Sequence, residues 1–542
     1  MSANQISRRG FVSGAAGLAG VAMFVPDSLA FRLQGRLSPT FSGGTFPDGV
    51  ASGDPTPTAI TLWSRVGGVA GNGSVLVEVA TDKAFKKVVK SALVPADPAK
   101  FWTVKVRVTG LKAHTQYYYR FATKTKNSTV GRFRTALPAD STQTVKFAYF
   151  SCQDFTGGFF NAHALMAKDD IDFVINLGDF IYETAFFDAT KGMVRPGGFF
   201  GRTALSGPVT YEEYCNRYQR YRSDTDLQAM AASHAMLSTW DDHEVMNDYA
   251  GSSSADGGDA KRTNPPYYTG WSNDRRVTAY QAWFDNMPTF PQSSGGYKLY
   301  QKASFGKNLD LWVLDERQYR DAQACGFDPS GKEIDPATCT NVNDASRTLL
   351  GAEQLSFLKG GLASSTAKWK VIANEVMAME LRNAKGNIES ADDWTGYPVE
   401  RENLLGAIRT GGVQNVVFAT GDYHTFMAGQ VKDSAGRAIA TEFCGGSVSQ
   451  LSTAEIASLL GTPGYGSIGA TTLPAGVRES DYLARNPHMK EFDQLHHGYV
   501  LATASSSQFT ATFKKLATTR TKSTALAATK TYKVNAGSTV IS

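Results

Sequence analysis

From about Phe46 to Leu137 the chain alternates apolar and polar positions or runs through β-branched and aromatic residues. The segments are Ala59–Arg65, Val75–Ala80, Trp102–Val108 and Gln116–Ala122, separated by Gly, Asn, Pro and Lys turns. Short strands at this spacing predict a small all-β sandwich. From about Ser141 the rhythm changes. Val145–Ser151, Phe173–Leu177, Ala235–Trp240, Leu309–Leu314, Trp369–Ala373 and Asn415–Thr420 are short, mostly apolar runs, and each leads directly into polar residues. A helix is expected at Phe160–Lys168. Buried strands with polar groups in the loops at their ends point to an α/β architecture. Strand character returns at Tyr499–Ala504 and Gln508–Phe513.

The N-terminus follows another pattern. Ser7-Arg8-Arg9-Gly10-Phe11-Val12 is a twin-arginine sequence, Gly14–Val25 is apolar and small, and Ser28-Leu29-Ala30 ends in a small residue. Charged start, short apolar run and small-residue end fit a cleaved secretory signal of the Tat type. Such a signal predicts the Tat export machinery as a partner and a periplasmic or secreted location. No run reaches the ~18 apolar residues of a membrane span. The expected organisation is a signal at 1–30, a linker at 31–45, the β-sandwich at 46–138, an α/β domain at 141–510 and a tail at 511–542.

Composition narrows the function classes. The 542 residues are 42% hydrophobic and 19% charged, which excludes wholesale disorder. A net charge of +5 over this length gives no dense basic stripe, so nucleic-acid binding is not expected. A monomer is expected. Five cysteines are too few for a disulfide scaffold. Cys325 and Cys339 flank a Gly-, Pro- and Asp-rich loop and are expected to pair, the alternative being two unpaired thiols. Cys215 and Cys444 have no clear role.

Five strand ends carry groups suited to a metal. They are Ser151-Cys152; Gly178-Asp179 through Tyr182-Glu183; Trp240-Asp241-Asp242-His243-Glu244 through Asn247; Asn374-Glu375; and Gly421-Asp422-Tyr423-His424. A lone Asp after a strand is usually a cap or turn residue, and a lone Cys is usually buried and inert. Five such ends in one α/β region are more economically read as one polar cluster.

Gly178-Asp-x-x-Tyr182, then Asp242-His243-Glu244, then Gly421-Asp-x-His424 resemble the calcineurin-like metallophosphoesterase pattern. Cys152 stands where that pattern opens on Asp-x-His, Trp-Asp-Asp-His-Glu replaces Gly-Asn-His-Glu, and Gly-Asp-Tyr-His replaces Gly-His-x-His. These departures resemble the PhoD branch of alkaline phosphatases and phosphodiesterases, as do Ala51-Ser-Gly-Asp-Pro-Thr56 and Leu350-Gly-Ala-Glu-Gln354. The resemblance implies an α/β fold: a metallophosphoesterase β-sandwich flanked by helices, preceded by a small fibronectin-III-like all-β domain.

It also implies a metal-dependent phosphate-ester hydrolase with these roles. One metal site draws on Cys152, Asp179, Tyr182 and His424. Thiolate, carboxylate and phenolate suit a trivalent ion, and Fe³⁺ is the expected choice. A second site draws on Asp179 as bridge with Asp242, Asn247 and Asp422, the alternative being that one of Asp242 and Asn247 is a ligand and the other supports it. Oxygen donors favour Ca²⁺. Two metals hold a phosphate between them and activate a water. His243 is expected to protonate the leaving alkoxide or orient the phosphate, with Glu244 as its partner. Arg317 and Arg320 either clamp phosphate oxygens or form a structural ion pair. Asp241 and Glu375 are further site candidates, Glu375 as an added oxygen donor near the metals. So are Asp393 and His497, each with an ordinary loop role as the alternative. Substrates are phosphate mono- or diesters. A phospholipase D acting on lipid headgroups is the runner-up, and a non-enzymatic adhesion protein is the remote alternative.

Overall fold

The computed structural model describes residues 37–184, 193–195, 207–253, 271–293, 296–324, 339–383, 386–459, 473 and 476–542. The twin-arginine segment lies outside them, as does Cys325. The N-terminal strands are β1 (Val50–Gly53), β2 (Ile60–Arg65), β3 (Gly73–Ala80), β4 (Val88–Ala96), β5 (Thr103–Val108), β6 (Gln116–Ala122) and β7 (Gly131–Arg134). Next come β8 (Val145–Phe150), β9 (Phe173–Leu177), β10 (Ala235–Thr239), β11 (Gln301–Phe305), β12 (Leu309–Val313), β13 (Trp369–Asn374) and β14 (Val416–Thr420). The last are β15 (Phe426–Lys432), β16 (Ala438–Cys444), β17 (Met489–Asp493), β18 (Gly498–Ala504), β19 (Gln508–Leu516) and β20 (Leu526–Asn535). The helices are α1 (Asn161–Met166), α2 (Tyr211–Arg222), α3 (Thr225–Ser233), α4 (Asn273–Asn286), α5 (Gly351–Ser364), α6 (Pro398–Thr410), α7 (Thr453–Leu459) and α8 (Glu479–Arg485).

A nine-stranded sheet runs β20-β19-β18-β8-β9-β10-β1-β2-β5, and a seven-stranded sheet runs β11-β12-β13-β14-β16-β15-β17. The central strands β9, β10, β12, β13 and β14 are buried along their whole length because both faces are covered. On β8 and β9, Phe147, Tyr149, Phe173 and Ile175 point into the core between the sheets, with Leu311, Val371 and Phe443 from the other side. Phe173 stacks on Phe305 of the opposing sheet with ring centroids 4.1 Å apart. The alternate residues Ala148, Phe150 and Val174 face outward under a layer containing Tyr214, Tyr218 and Trp283 of α2 and α4. Leu358 and Leu362 of α5 and Leu404, Leu405 and Ile408 of α6 cover the second sheet. The result is two packed sheets flanked by helices. No helix among the described residues is long and apolar enough to cross a membrane.

The N-terminal strands make the expected sandwich, with β4-β3-β6-β7 as one sheet. Val75, Val77, Tyr117 and Tyr119 of that sheet share a core with Ile60, Leu62, Val104 and Val106. The other layer is not a sheet of its own. β1 pairs in parallel with β10, Ser52 opposite Ala235, so β1, β2 and β5 extend the nine-stranded sheet. Lys105 on β5 donates to the carbonyl of Thr289 at 2.6 Å and ties the two parts further. The separate domain of 46–138 is thus joined through its backbone to the rest. The boundary at 510 also shifts. β19 crosses it, and β20 edges the same sheet, because Phe509, Ala511, Phe513, Tyr532 and Val534 alternate into the central core. Residues beyond 510 complete the sheet and do not form a free tail.

Candidate metal centre

The parallel strands β8, β9, β10 and β14 end on one side of the molecule and deliver Cys152, Asp179, Asp241 and Asp242, and Asp422 and His424. Four of these residues turn the backbone into the left-handed region: Cys152 (φ 59°), Asp179 (φ 53°), Asp422 (φ 60°) and His424 (φ 53°). Non-glycine residues avoid that region, and such strain concentrates at functional sites. Gly178 (φ 101°) precedes Asp179, and a Cβ there would lie 2.4 Å from the Cβ of Asp241. Only glycine lets the second and third strand ends approach this closely.

The ligand atoms of Cys152, Asp179 and His424 lie within 4.8 Å of one another. Tyr182 joins them, its hydroxyl donating to Oδ2 of Asp179 at 2.7 Å and lying 3.3 Å from Nε2 of His424. A second group, Asp241, Asp242 and Asp422, has oxygens within the same mutual distance, and a third, Asp179, Asp242 and His243, links the two. Asn247 lies on the turn after β10, and its backbone N–H donates to Glu183. The next N–H, of Asp248, donates to Oδ2 of Asp242 at 2.6 Å.

The electrostatics are those of crowded anions. Burial, with neighbouring Asp179 and Asp422, pushes the Cys152 thiol well up. Burial raises Asp179, Tyr182 and Asp422 well above their ordinary values, each with an acidic neighbour adding to it. It carries Asp241 to about 6 and drops His424 to about 3. Asp242 is the exception: burial alone would raise it, but His243 and Arg317 bring it to about 2.

His243 has a different partner from the one expected. Its Nδ1 lies 2.7 Å from Oε2 of Glu183, a fully buried carboxylate. Its ring packs on Tyr182 at a centroid distance of 4.1 Å. Burial alone would lower the His243 pKa, but Asp242, Glu183 and Asp179 raise it well above the usual value. Glu244 instead accepts the backbone N–H groups of Asp179 (3.0 Å), Phe180 (2.6 Å) and Asp241 (2.8 Å). Its carboxylate holds two strand ends together, which turns it away from the adjacent imidazole.

Other expectations are also revised. Arg317 forms the structural ion pair that was the alternative to a phosphate clamp. Its side chain has 0% exposure and is ion-paired with Asp241 at 2.5 Å and Asp392 at 2.7 Å. Arg320 pairs with Asp392 at 3.0 Å and donates to the hydroxyl of Tyr397. Glu375 falls in none of the ligand groups among the described residues. Thr239 donates to it, it is hydrogen-bonded to Glu316, and burial raises it well above the carboxylate range. Asp393 caps a short turn by accepting from the N–H of Thr395 at 2.7 Å. Both ring nitrogens of His497 are engaged, with Ser447 at 2.9 Å and Glu455 at 3.1 Å. It is close enough to His424 to act on it electrostatically. Cys339 is disulfide-bonded, while Cys152, Cys215 and Cys444 are free.

Asp392 escaped the sequence reading, and Glu183 was named there without a role. Glu183 sits inside a motif already singled out, and Asp392 is the immediate neighbour of Asp393, so position in the chain was a usable signal for both.

The residues fit a pair of cations. Oδ2 of Asp241 and Oδ1 of Asp242 are buried without a hydrogen-bond partner, and buried polar atoms are rarely left so. The donors also differ by group: sulfur, imidazole and phenol gather with Asp179, while Asp241, Asp242 and Asp422 offer oxygen alone.

Comparison with known proteins agrees with this geometry. The PhoD-like phosphatase family matches residues 147–513, and the PhoD-like phosphatase N-terminal domain matches residues 33–137. Alkaline phosphatase D of Bacillus subtilis (strain 168) is 32% identical over 531 residues, covering 94% of this chain and 84% of the relative. A solved structure of PhoD superimposes with a TM-score of 0.78 at 30% identity, covering 93% of each chain. The protein is a metal-dependent phosphoester hydrolase, and the chain belongs to the PhoD-like phosphatase family.

Proposed function

We propose that this chain is an exported alkaline phosphatase with phosphodiesterase activity, carrying Fe³⁺ at Cys152, Asp179, Tyr182 and His424 and Ca²⁺ at Asp179, Asp242, Asn247 and Asp422. The observation that carries the reading is the contrast between the mixed donors gathered with Asp179 and the all-oxygen group of Asp241, Asp242 and Asp422. Thiol, phenol and imidazole suit a transition metal, and an all-oxygen group suits a hard divalent ion. When bound, the two ions supply Lewis-acid charge to the phosphoryl oxygens and activate a water.

The chain's own residues do the rest. Asp179 stands in the first group and is linked to the oxygen group through Asp242. Glu183 fixes the tautomer and direction of His243 through Nδ1, so His243 would act through Nε2, donating a proton to the leaving alkoxide. Glu244 holds the Asp179 and Asp241 backbones in register beneath the site. Export by the Tat pathway, supported by Arg8 and Arg9 in the N-terminal motif, would let the chain fold and take up metal before crossing. Early loading would also protect the free Cys152 thiol from oxidation.

The test is to purify the protein without chelators, then measure its metal content and visible spectrum. Stoichiometric iron and calcium with a broad charge-transfer band are expected. Colourless protein holding two zinc or manganese ions would sink the assignment of Cys152 and Tyr182. Rates on mono-aryl and bis-aryl phosphates then decide whether diesters are turned over.

A further inference from the structure

Asp392 lies outside every group of candidate ligands, yet it organises one side of them. One carboxylate oxygen pairs with Nη1 of Arg317 at 2.7 Å. The other is held by Arg320 at 3.0 Å and by Nε2 of Gln323 at 2.7 Å. Arg320 is fixed in turn, donating through Nε to Tyr397 and through Nη2 to the backbone carbonyl of Asp392. Arg317 is pinned at its other end, Nε against Asp241 at 2.5 Å. Held at both ends, its Nη2 stops 3.8 Å from Asp242 and 3.7 Å from Asp422. That is close enough to offset their charge and too far to hydrogen-bond them.

We propose that Asp392 is a positioning residue for the oxygen-rich cation site, clamping Arg317 so that its guanidinium stands beside Asp242 and Asp422 without capturing them. The inference rests on the reading of that group as a divalent-cation site. A buried guanidinium that loses one carboxylate seeks another, because an unpaired buried charge is strongly disfavoured. The oxygens that its Nη2 already faces are Oδ1 of Asp242 and Oδ1 of Asp422. Released by loss of Asp392, Arg317 would swing onto them and compete with the cation. Groups that orient ligands from outside typically change metal affinity by about 10- to 100-fold.

The experiment is calcium binding, measured by equilibrium dialysis on the purified full-length protein, in wild type, D392N, R317Q and the double variant. The first metal's content and the far-ultraviolet spectrum report that the fold is kept. We expect D392N to bind calcium roughly tenfold more weakly and the same substitution to have little further effect in R317Q. An undiminished effect in R317Q would mean that Asp392 acts by its field alone and would overturn the proposal. Wild-type calcium affinity in D392N would overturn it too. No calcium bound by wild type would instead overturn the reading of the site. If D392N does not fold, R320K, which loosens Asp392 but keeps its charge, is read the same way.

Discussion

Nδ1 of His243 lies 2.7 Å from Oε2 of Glu183, across 60 residues of chain. The other oxygen of Glu183 accepts the N–H of Asn247 at 3.0 Å. One buried carboxylate therefore sets both the imidazole and the turn that follows it. Glu183→Gln should lower kcat by about 10- to 100-fold with little change in KM, and should move the pH profile. In a His243→Asn background it should cost almost nothing more. A wild-type kcat and pH profile in E183Q would remove Glu183 from the chemistry.

The role of His243 is best read through the leaving group. If it donates the proton, His243→Asn should slow hydrolysis of an alkyl phosphate by about 10²- to 10⁴-fold. A 4-nitrophenyl ester, whose leaving group needs no proton, should lose far less. Equal losses on the two substrates would argue for a role in orienting phosphate instead.

Glu244 should behave as a structural residue. Glu244→Ala strips the acceptor from three buried N–H groups. At about 1 kcal/mol or more for each, destabilisation on the order of 3 kcal/mol is expected. A thermal melt checks this, and a melting temperature equal to wild type would contradict it.

Acid should weaken the fold through His163. This imidazole is enclosed edge-on by Phe150 and Phe160, at centroid distances of 4.7 Å and 5.6 Å, and burial lowers its pKa to about 3. An unfolded histidine titrates near ~6.5. Between these values the unfolded chain binds a proton that the folded chain refuses, so stability falls as pH drops from ~6.5 toward 3. Melting temperatures across that window give the slope. His163→Met should reduce the uptake by about one proton, and an unchanged slope would exclude His163 as a contributor.

The strand ends were legible because chemistry follows directly on an apolar run, as at Leu177-Gly178-Asp179 and Thr420-Gly421-Asp422. What lay hidden was side-chain direction. Glu244 adjoins His243 in the chain but turns to the backbone of Asp179, while Glu183, which no periodicity connects to His243, meets it in space. Arg317 reads equally well as a clamp or an ion pair until Asp241 and Asp392 are seen on either side of it. Long-range strand pairing was hidden too. The pattern of β1 announces a strand, but nothing local says that its neighbour is β10.

The left-handed turns at Cys152, Asp179, Asp422 and His424 set stability against activity. Each position would be relieved, by ~1–2 kcal/mol, by a residue without a Cβ. The substitution that most improves folding there is the one that deletes the ligand. A screen for heat resistance alone would therefore tend to collect glycine at these four places. Among hardier variants of this protein, those altered at a strand end should be the first checked for lost turnover.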